Sequence, residues 1–406
     1  MKNAVKVNTK KIVSGKATPK SVVKKSAPAE KKSAPKKVSR RGAADKRALI
    51  IRRALQQRLD LTGKLKQLQL EKFEKNPIVE PRSHVNWESK ATFNPAAVRV
   101  GGKVHVLYRA IGDSDMSVLG YAASLDGLHF DERHDTPAYV PGIVRDDAER
   151  ATSDPISYAS GGGGWGGAED PRLVAIEDKV YMTYLAFNGW DSARIALTWI
   201  DLADFLGGRW NWTPPILISP EGEVHKNWVL FPEKINGKFA ILHGVSPEIR
   251  VDYFDSLDVF KGDAFVKSAA PSGGRKGKWD NWMRGAGPPP IKTKYGWLLL
   301  YHAMDRRDPD RYKLGAMILD AHDPTKILYR AANPILEPVE AYENEGHKAG
   351  VIYSCGAVVV GKKLFVYYGG ADTVVCVATA DLASFLEELK KGGTPKLHTE
   401  TSKKNV

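Results

Sequence analysis

The stretch GGKVHVLYRA at residues 101–110, followed by LGYAASLDGLHF at residues 119–130, decides the fold. A Gly-Gly-Lys turn leads into one run of Val, Leu and Tyr, and a second apolar run ends in aspartate and an apolar residue. Short runs of this composition, bounded by glycine, are typical of hairpin strands and lack the 3.6-residue periodicity of a helix. The stretch therefore predicts a β-hairpin.

The same pattern returns four more times along the chain. The later copies are EDKVYMTYLAF with RIALTWIDLADF, NGKFAILHG with IRVDYFDSLDVF, YGWLLLYHAM with LGAMILDAHDP, and GKKLFVYYGG with VVCVATADLASF. About 320 residues shared among five repeats gives roughly 64 residues each, which suits a four-stranded propeller blade with long loops. A pair of packed sheets is the structural alternative, but five equivalent repeats favour radial repetition. We therefore predict an all-β fold, a five-bladed β-propeller spanning residues 76–395.

The positive charge of the chain is concentrated before this repeat region. The formal net charge is +14, from 61 basic and 47 acidic residues. Residues 1–50 hold 16 of the basic residues against only Glu30 and Asp45, which leaves the rest of the chain neutral. Residues 1–42 are rich in Lys, Ala, Pro and Ser and are predicted to be a disordered basic tail. Such a tail attracts phosphates only non-specifically, so we expect no specific nucleic-acid partner and no membrane.

A second segment, residues 43–75, separates the tail from the repeats. Leucine and isoleucine recur there at roughly helical spacing, with charged residues between them. The pattern predicts one N-terminal helix, which either packs on the main domain or mediates self-association. The chain is therefore compatible with a homo-oligomer. Residues 396–406 are expected to form a flexible C-terminus.

Cysteine usage and the lack of familiar motifs narrow the class of protein further. Cys355 and Cys376 lie in apolar strand-like runs and form no CxxC metal spacing, which suits a reducing cytoplasm. The N-terminus has no apolar core of a secretory signal, and no run reaches the roughly 18 apolar residues of a membrane helix. No phosphate-binding loop, dinucleotide fingerprint, HExxH or GxSxG is present. We expect a soluble cytoplasmic protein without cofactor or metal.

Polar residues occur at equivalent places just before the hairpin of each repeat. In a propeller the innermost strands converge on the central channel, so these residues would gather into one site. A glycine-rich stretch at residues 160–167 precedes Glu169 and Asp170 and would let the chain reach over the mouth of that site. Read alone, EDPR is also compatible with a surface turn. The five segments are FNPAAV at Asn94, AEDPRL at Asp170, HKNWVLF at Lys226, RGAGPPP at Arg284 and YSCGAVV at Ser354.

The side chains of these segments describe a sugar site. Carboxylates and amides pair with hydroxyl groups, and flat aromatic rings stack on the C–H faces of pyranose rings. Each candidate also has a structural interpretation: His243 and Tyr301 as strand residues, Lys226 and Arg284 as surface charges, and Asp372 as a turn former.

Several long motifs, in order, resemble glycoside hydrolase family 130. They are AEDPRL, NWVLFPEKINGKFAILH, RGAGPPPIKTKYGWLLLYHA, LGAMILDAHDPTKILYR, NPILEP and YYGGADTVVCVATADL, within about residues 77–395. That family contains β-mannoside phosphorylases and some β-mannosidases on a five-bladed propeller. The resemblance implies inverting cleavage of a β-linked mannoside with a single carboxylic acid as proton donor.

The same resemblance implies roles for individual residues. The donor is the aspartate of the family's DPR motif, Asp170, whose proton passes through a hydroxyl of the bound mannose. Substrate-binding positions match Asn94, Arg109, Glu169, Tyr301 and Asp372. Phosphate-binding positions match Lys226, Arg284 and His302.

One departure from the family leaves the choice of nucleophile open. Phosphate is already an anion and needs no general base, and its product is α-mannose 1-phosphate; a hydrolase needs a second carboxylate about 6.5–9.5 Å away to activate water. Family phosphorylases usually have an arginine after Leu-His, where this chain has Gly244. The anion cradle is then either rebuilt from Arg250 or Arg275, or water replaces phosphate. In the second case the candidate bases are Glu169, Glu248 and Glu345.

Phosphorolysis is the leading expectation and hydrolysis by a β-mannosidase is the alternative. A non-catalytic glycan-binding propeller is the alternative from another class, but it has no reason to keep an acid opposite a cationic cluster. The motifs determine neither the linkage nor the acceptor sugar.

Overall fold

The computed structural model describes residues 68–141, 166–187, 193–262, 264–269 and 273–392. The predicted basic tail, nearly all of the predicted N-terminal helix, most of the glycine-rich stretch and the predicted flexible C-terminus lie outside the described residues. Strands dominate the regular structure of the described part, and its helices are few. The predicted all-β class is therefore confirmed.

The first two repeats form one sheet. Their strands are β2 (Ala91–Val100), β3 (Lys103–Ile111), β4 (Met116–Ser124), β5 (Glu132–Arg133), β6 (Gly166–Ile176), β7 (Lys179–Phe187), β8 (Ala193–Asp201) and β9 (Ile216–Leu217). The strand order is β2-β3-β4-β6-β7-β8-β9, and β5 pairs with β4 outside this order. All of these pairs are antiparallel except for a short parallel contact between β4 and β6, so each repeat is an antiparallel meander.

The other three repeats form separate antiparallel sheets. The third repeat contributes β10 (Val229–Leu230), β11 (Phe239–Gly244) and β12 (Arg250–Phe254). The fourth contributes β13 (Trp282–Ala286), β14 (Ile291–Thr293), β15 (Gly296–Asp305), β16 (Asp308–Leu319) and β17 (Ile327–Arg330). The fifth contributes β18 (Ile352–Val360), β19 (Lys363–Gly370) and β20 (Val374–Asp381), and β1 (Glu71–Lys72) pairs with β20.

The hairpin turns follow the predicted chemistry. Gly101 and Gly102 join β2 to β3 with φ of 56° and 82°, and Asn236 and Gly237 precede β11 with φ of 52° and 79°. Two consecutive residues with positive φ match the right-handed twist of the flanking strands, and Gly and Asn adopt this conformation at the lowest cost. These turns therefore fix the register of the hairpins.

Short helices follow the last long strand of three repeats, where the sequence places an aspartate before an apolar residue. They are α1 (Leu202–Leu206), a 3₁₀ helix (Leu257–Lys261) and α3 (Leu382–Lys391); α2 (Ala341–Asn344) lies before β18. The side chain of Asp381 accepts a hydrogen bond of 2.8 Å from the Ser384 backbone N–H and so caps α3. None of the helices in the described ranges combines the length and apolar character that a membrane crossing requires.

In the described part of the chain, five large apolar clusters hold the sheets together: four lie between successive repeats, and the fifth lies between the last repeat and the first. Because side chains alternate across a strand, Leu298 and Leu300 of β15 pack toward the fifth repeat while Leu299 packs toward the third. The last cluster joins the two ends of the repeat region, since Val106 of the first repeat packs with Val377 of the fifth. The other two clusters join the first repeat to the second and the second repeat to the third.

The predicted N-terminal helix is wrong at its C-terminal end. Glu71 and Lys72 form a strand on β20, and the backbone N–H of Leu70 donates to the Ile335 carbonyl at 2.9 Å. Leu70 is buried in the cluster between the fourth and fifth repeats. Pairing with an open sheet edge outweighs the weak helical preference of this segment.

Candidate active site

A break in the strand register recurs in the first strand of most repeats. The pairing shifts between Phe93 and Ala96 in β2 and between Glu169 and Arg172 in β6. The same defect occurs between Met283 and Gly285 in β13 and between Tyr353 and Gly356 in β18. A bulge of this kind re-aims a side chain out of the regular pleat, and such bulges are common beside active sites. Positive φ occurs at three of these breaks, at Asn94 (47°), Asp170 (49°) and Gly285 (139°), and also at Asn227 (66°) just before β10.

Asp170 lies at the centre of the polar residues that these bulges bring together. Its Oδ1 accepts a hydrogen bond of 2.7 Å from Asn94 Nδ2, which comes from the neighbouring repeat. Arg109 Nη1 lies 3.6 Å from the same oxygen. Both Asp170 and Asn94 are buried. The structure therefore brings the predicted proton donor and two predicted substrate-binding residues into one cluster.

Arg109 links Asp170 to the neighbouring carboxylate. Its Nη2 donates to Glu169 Oε1 at 2.8 Å, its Nε donates to Ser117 Oγ at 2.9 Å, and its guanidinium lies 4.7 Å from the centroid of the Phe93 ring. Glu169 is almost fully buried. A buried carboxylate in a close pair with arginine is held in place and is poorly suited to act as a base for water.

A second network connects the backbone of Asp170 to that of Arg284. Arg172 donates to the Asp170 carbonyl and to Asn227 Oδ1, each at 2.7 Å. Asn227 Nδ2 then donates to the Arg284 carbonyl at 3.0 Å, and the Tyr353 hydroxyl donates to Asn227 Oδ1. These bonds join the second, third, fourth and fifth repeats. Asn227 therefore fixes the distance between the acid and a predicted phosphate-binding residue.

The charges around Asp170 control its protonation. Burial raises the pKa of its carboxyl, but Arg109, Arg172 and Lys226, together with the Asn94 amide, outweigh burial and hold the pKa below its usual range. Burial lowers the pKa of the Lys226 ammonium, and the negative charges of Glu169 and Asp170 oppose that effect. The cluster thus has an excess of positive charge that an added anion would balance.

Lys226 and Arg284 lie against aromatic rings on one side of this cluster. Lys226 Nζ is 5.6 Å from the centroid of the Phe187 ring. The Arg284 guanidinium is 4.9 Å from the Trp282 ring centroid, and its Nε donates to the Tyr312 hydroxyl at 3.0 Å. Both cations are only half-buried. They are therefore positioned to contact a bound anion.

Asp372 is the second carboxyl group of the site with a shifted pKa. It is buried, with φ of 50°, in the turn after β19. Burial raises its pKa to about 6; Arg109 and Lys348 oppose the shift, and Asp170 and Glu169 add to it. A carboxyl group in this state accepts hydrogen bonds from sugar hydroxyls once it is ionised.

Asp372→Asn is expected to stabilise the protein at pH 7 and to leave its stability unchanged near pH 4. With a folded pKa of about 6 against an ordinary value of 3.8, the folded state keeps a proton that the unfolded state has lost, so this group makes stability fall as pH rises between those values. The loss amounts to about 3 kcal/mol at pH 7. Thermal unfolding of both proteins from pH 4 to pH 7 measures the difference. A constant difference across this range would contradict the raised pKa.

His302 occupies a different place from the one predicted. Its ring is fully buried, stacks on Tyr353 with centroids 4.1 Å apart, and accepts a hydrogen bond of 2.9 Å at Nε2 from the Ser354 backbone N–H. Burial and the nearby Arg172 lower its pKa to about 3. A neutral ring behind Tyr353 offers no positive charge, so this geometry does not support the predicted contact with phosphate.

Tyr301 does not lie in the cluster. Adjacent residues of a strand point to opposite faces, so Tyr301 and His302 of β15 cannot both face one site. The Tyr301 hydroxyl donates to Asp280 Oδ2 at 2.8 Å and accepts from Arg330 Nε at 3.1 Å in a buried network. This geometry does not support the predicted contact of Tyr301 with substrate; its hydrogen bonds instead hold the fourth repeat together.

The two arginines considered as replacements at Gly244 are both engaged elsewhere. Arg275 donates to both carboxylate oxygens of Asp280 at 2.9 Å and to the Ala331 carbonyl at 2.8 Å. Arg250 pairs with Glu248, and a Cβ added at position 244 would lie 3.1 Å from the Cβ of Arg250, which is a tight contact. Gly244 therefore makes room for the stem of Arg250.

Reading the sequence alone missed part of the site. The missed residues are Asn227 and Tyr353, which connect Arg172 to the other repeats, together with Tyr312 beside Arg284 and Lys348 beside Asp372. Asn227 lies in the segment HKNWVLF, which corresponds to the segments of Asn94 and Asp170, so a comparison of the repeats would have found it. No group of three or more His, Cys, Asp or Glu side chains in the described ranges could hold a metal ion.

Comparisons with known proteins identify the relatives of this chain. A family model described as beta-1,4-mannooligosaccharide phosphorylase matches residues 69–391. A 1,2-beta-oligomannan phosphorylase from Thermoanaerobacter sp. is 37% identical over 325 residues, which cover 78% of this chain and 98% of the relative. A beta-1,2-mannobiose phosphorylase from the same organism is 34% identical, covering 77% and 97%. A solved structure of a Listeria innocua beta-1,2-mannobiose phosphorylase with beta-1,2-mannobiose has a TM-score of 0.60 at 25% identity, covering 79% and 99%.

Proposed function

Because the chain belongs to glycoside hydrolase family 130, whose members cleave β-mannosides, we propose that it is an inverting phosphorylase of a β-1,2-mannoside. It transfers the mannosyl group to inorganic phosphate and yields α-mannose 1-phosphate. The β-1,2 linkage is the one named for the two relatives of 37% and 34% identity. Phosphate is a co-substrate, and no cofactor takes part.

The fold that goes with this function is a five-bladed propeller. Five antiparallel meanders and five apolar clusters, the last of which joins the fifth repeat to the first, support this architecture. The bulged first strands line its axis, which explains why side chains distant in sequence meet at Asp170. Because Cys355 and Cys376 are both free thiols, a cytoplasmic location accompanies the proposal.

In the proposed reaction Asp170 is the proton donor. A phosphate oxygen forms a bond to the anomeric carbon of mannose as the glycosidic C–O bond breaks, with inversion at that carbon. The proton of Asp170 moves through a mannose hydroxyl to the leaving oxygen. Asn94, Arg109, Glu169 and Asp372 orient the mannosyl unit, and Lys226 and Arg284 hold the phosphate.

The observation that carries the proposal is the set of cations around Asp170. In the free protein Arg109, Arg172 and Lys226 hold the pKa of Asp170 low, so the carboxyl group is ionised at neutral pH. A phosphate dianion bound by Lys226 and Arg284 opposes these charges and raises the pKa of the donor. Phosphate thus supplies the nucleophile, and its negative charge favours the protonated form of Asp170, which is the form that donates a proton. Water would supply a nucleophile but not this negative charge.

Hydrolysis is the second candidate, and the absence of an arginine at Gly244 favours it. Among the suggested bases, Glu169 is paired with Arg109, and Glu248 pairs with Arg250 and is largely exposed. Glu345 is exposed on the loop before β18. None of the three is an unpaired carboxylate buried beside Asp170, so phosphorolysis remains the better-supported proposal.

The purified full chain is expected to convert β-1,2-mannobiose only when inorganic phosphate is present. The product should be α-mannose 1-phosphate with an equal amount of mannose, followed by anion-exchange chromatography or ³¹P NMR. The same assay with β-1,4-mannobiose is the control for linkage. Release of two mannose molecules at the same rate without phosphate would establish hydrolysis instead.

A further inference from the structure

The predicted phosphate-binding region has two half-buried cations, Lys226 and Arg284. It has glycine at position 244, where family phosphorylases usually have an arginine. A phosphate dianion is bound most tightly where several cationic donors converge. Arg250 and Arg275 are each occupied by a carboxylate partner, as described above. A further cation from another part of the chain would complete the cradle.

The loop between α2 and β18 brings such a cation to the site. The Lys348 backbone N–H donates to the Ala371 carbonyl at 3.0 Å, and the His347 N–H donates to Thr373 Oγ1 at 2.9 Å. Both acceptors flank Asp372 in the turn after β19. The loop is thus fixed beside a predicted mannose-binding carboxylate, and the charge of Lys348 acts on the pKa of that carboxyl group.

Tyr312 connects Lys348 to Arg284. Lys348 Nζ lies 5.0 Å from the centroid of the Tyr312 ring, and the Arg284 guanidinium lies 5.8 Å from the same centroid. The Tyr312 hydroxyl also accepts the hydrogen bond from Arg284 Nε. Lys348 is exposed, and within the described ranges its ammonium forms neither an ion pair nor a hydrogen bond. A long lysine side chain in this position can turn toward an anion held by Arg284.

We infer that Lys348 is a third phosphate-binding cation, which compensates for the arginine that Gly244 replaces. This inference rests on the proposed phosphorolysis. The ligand is the inorganic phosphate co-substrate in the cleavage direction, and the phosphate group of mannose 1-phosphate in the reverse direction. Lys348 is exposed and acts through its charge, beside the half-buried Lys226 and Arg284.

Lys348→Ala is expected to raise the KM for phosphate about tenfold and to leave the KM for β-1,2-mannobiose within a factor of about two. Lys348→Arg should restore most of the loss, because it keeps the charge. Calorimetric titration of each protein with inorganic phosphate, without sugar, should show the same order of affinities. Lys362→Ala is the matched control, since Lys362 is an exposed lysine in the turn at the far end of β18.

Two results would overturn the role of Lys348 while leaving phosphorolysis intact. One is an unchanged phosphate KM and an unchanged phosphate affinity in Lys348→Ala. The other is a raised KM for mannobiose alone, which would assign Lys348 to the sugar. Failure of phosphorolysis itself would be seen in the wild-type protein, as free mannose formed without phosphate, and would overturn both.

Discussion

Asp170→Asn is expected to lower kcat for β-1,2-mannobiose about 10³-fold while the protein remains folded. Asparagine has nearly the same volume and can still bond to Asn94, but it has no proton to give to the leaving oxygen. Steady-state kinetics at saturating phosphate, together with thermal unfolding, would measure both effects. A kcat close to that of the wild type would reject Asp170 as the donor.

A substrate whose leaving group needs no proton separates this role from a loss of binding. With 2,4-dinitrophenyl β-mannoside, Asp170→Asn should recover most of the wild-type rate, because dinitrophenolate leaves as an anion. The variant should also bind phosphate more tightly than the wild type. Removing one negative charge leaves Arg109, Arg172 and Lys226 with more positive charge to offer the dianion. Weaker phosphate binding would contradict the proposed placement of the anion.

The second large effect is expected at a residue that does not touch the reacting atoms. Asn227→Gly should lower kcat about 10²-fold, because displacing groups by about 1 Å costs this much in an oriented site. Glycine accepts the φ of 66° but removes the amide that joins Arg172 to the Arg284 carbonyl. Asp170 and Arg284 would then no longer be held at a fixed distance. Kinetics with both β-1,2-mannobiose and phosphate varied would show the loss.

Asn236→Gly is the matched control for this variant. Asn236 also has positive φ, at 52°, but lies exposed in the hairpin turn before β11. The same chemical change there should leave kcat unaltered. A comparable loss of kcat in both variants would mean that the effect of Asn227→Gly reflects general loosening of the third repeat. Tyr353→Phe, which removes one donor to Asn227, should fall between the control and Asn227→Gly.

The repeats and their turns were predictable because they depend on local chemistry. Gly101, Gly102, Asn236 and Gly237 take the positive φ that their turns require, and apolar runs on both sides become paired strands. The cluster of Asn94, Arg109, Glu169 and Asp170 was also predictable, because these residues occupy motifs of two neighbouring repeats.

The errors arise where tertiary packing decides. Tyr301 and His302 are neighbours in a motif, but strand alternation sends one into the Asp280 network and the other behind Tyr353. Glu71 and Lys72 follow a helical pattern, but they form a strand that pairs with the edge of β20. Lys348 has no motif at all, because only the pairing of its loop with the Asp372 turn brings it to the site.

The packing of the fifth repeat on the first determines when, during synthesis, the proposed site can be complete. Asn94 belongs to the first repeat, and Gly369 must lack a side chain because a Cβ there would lie 2.2 Å from Asn94 Oδ1. Asp372 follows three residues later. We therefore expect a nascent chain to carry the proposed acid long before the proposed sugar site is complete, and to be inactive until the last repeat has emerged and docked. A product truncated before β19 would be inert toward cellular sugars.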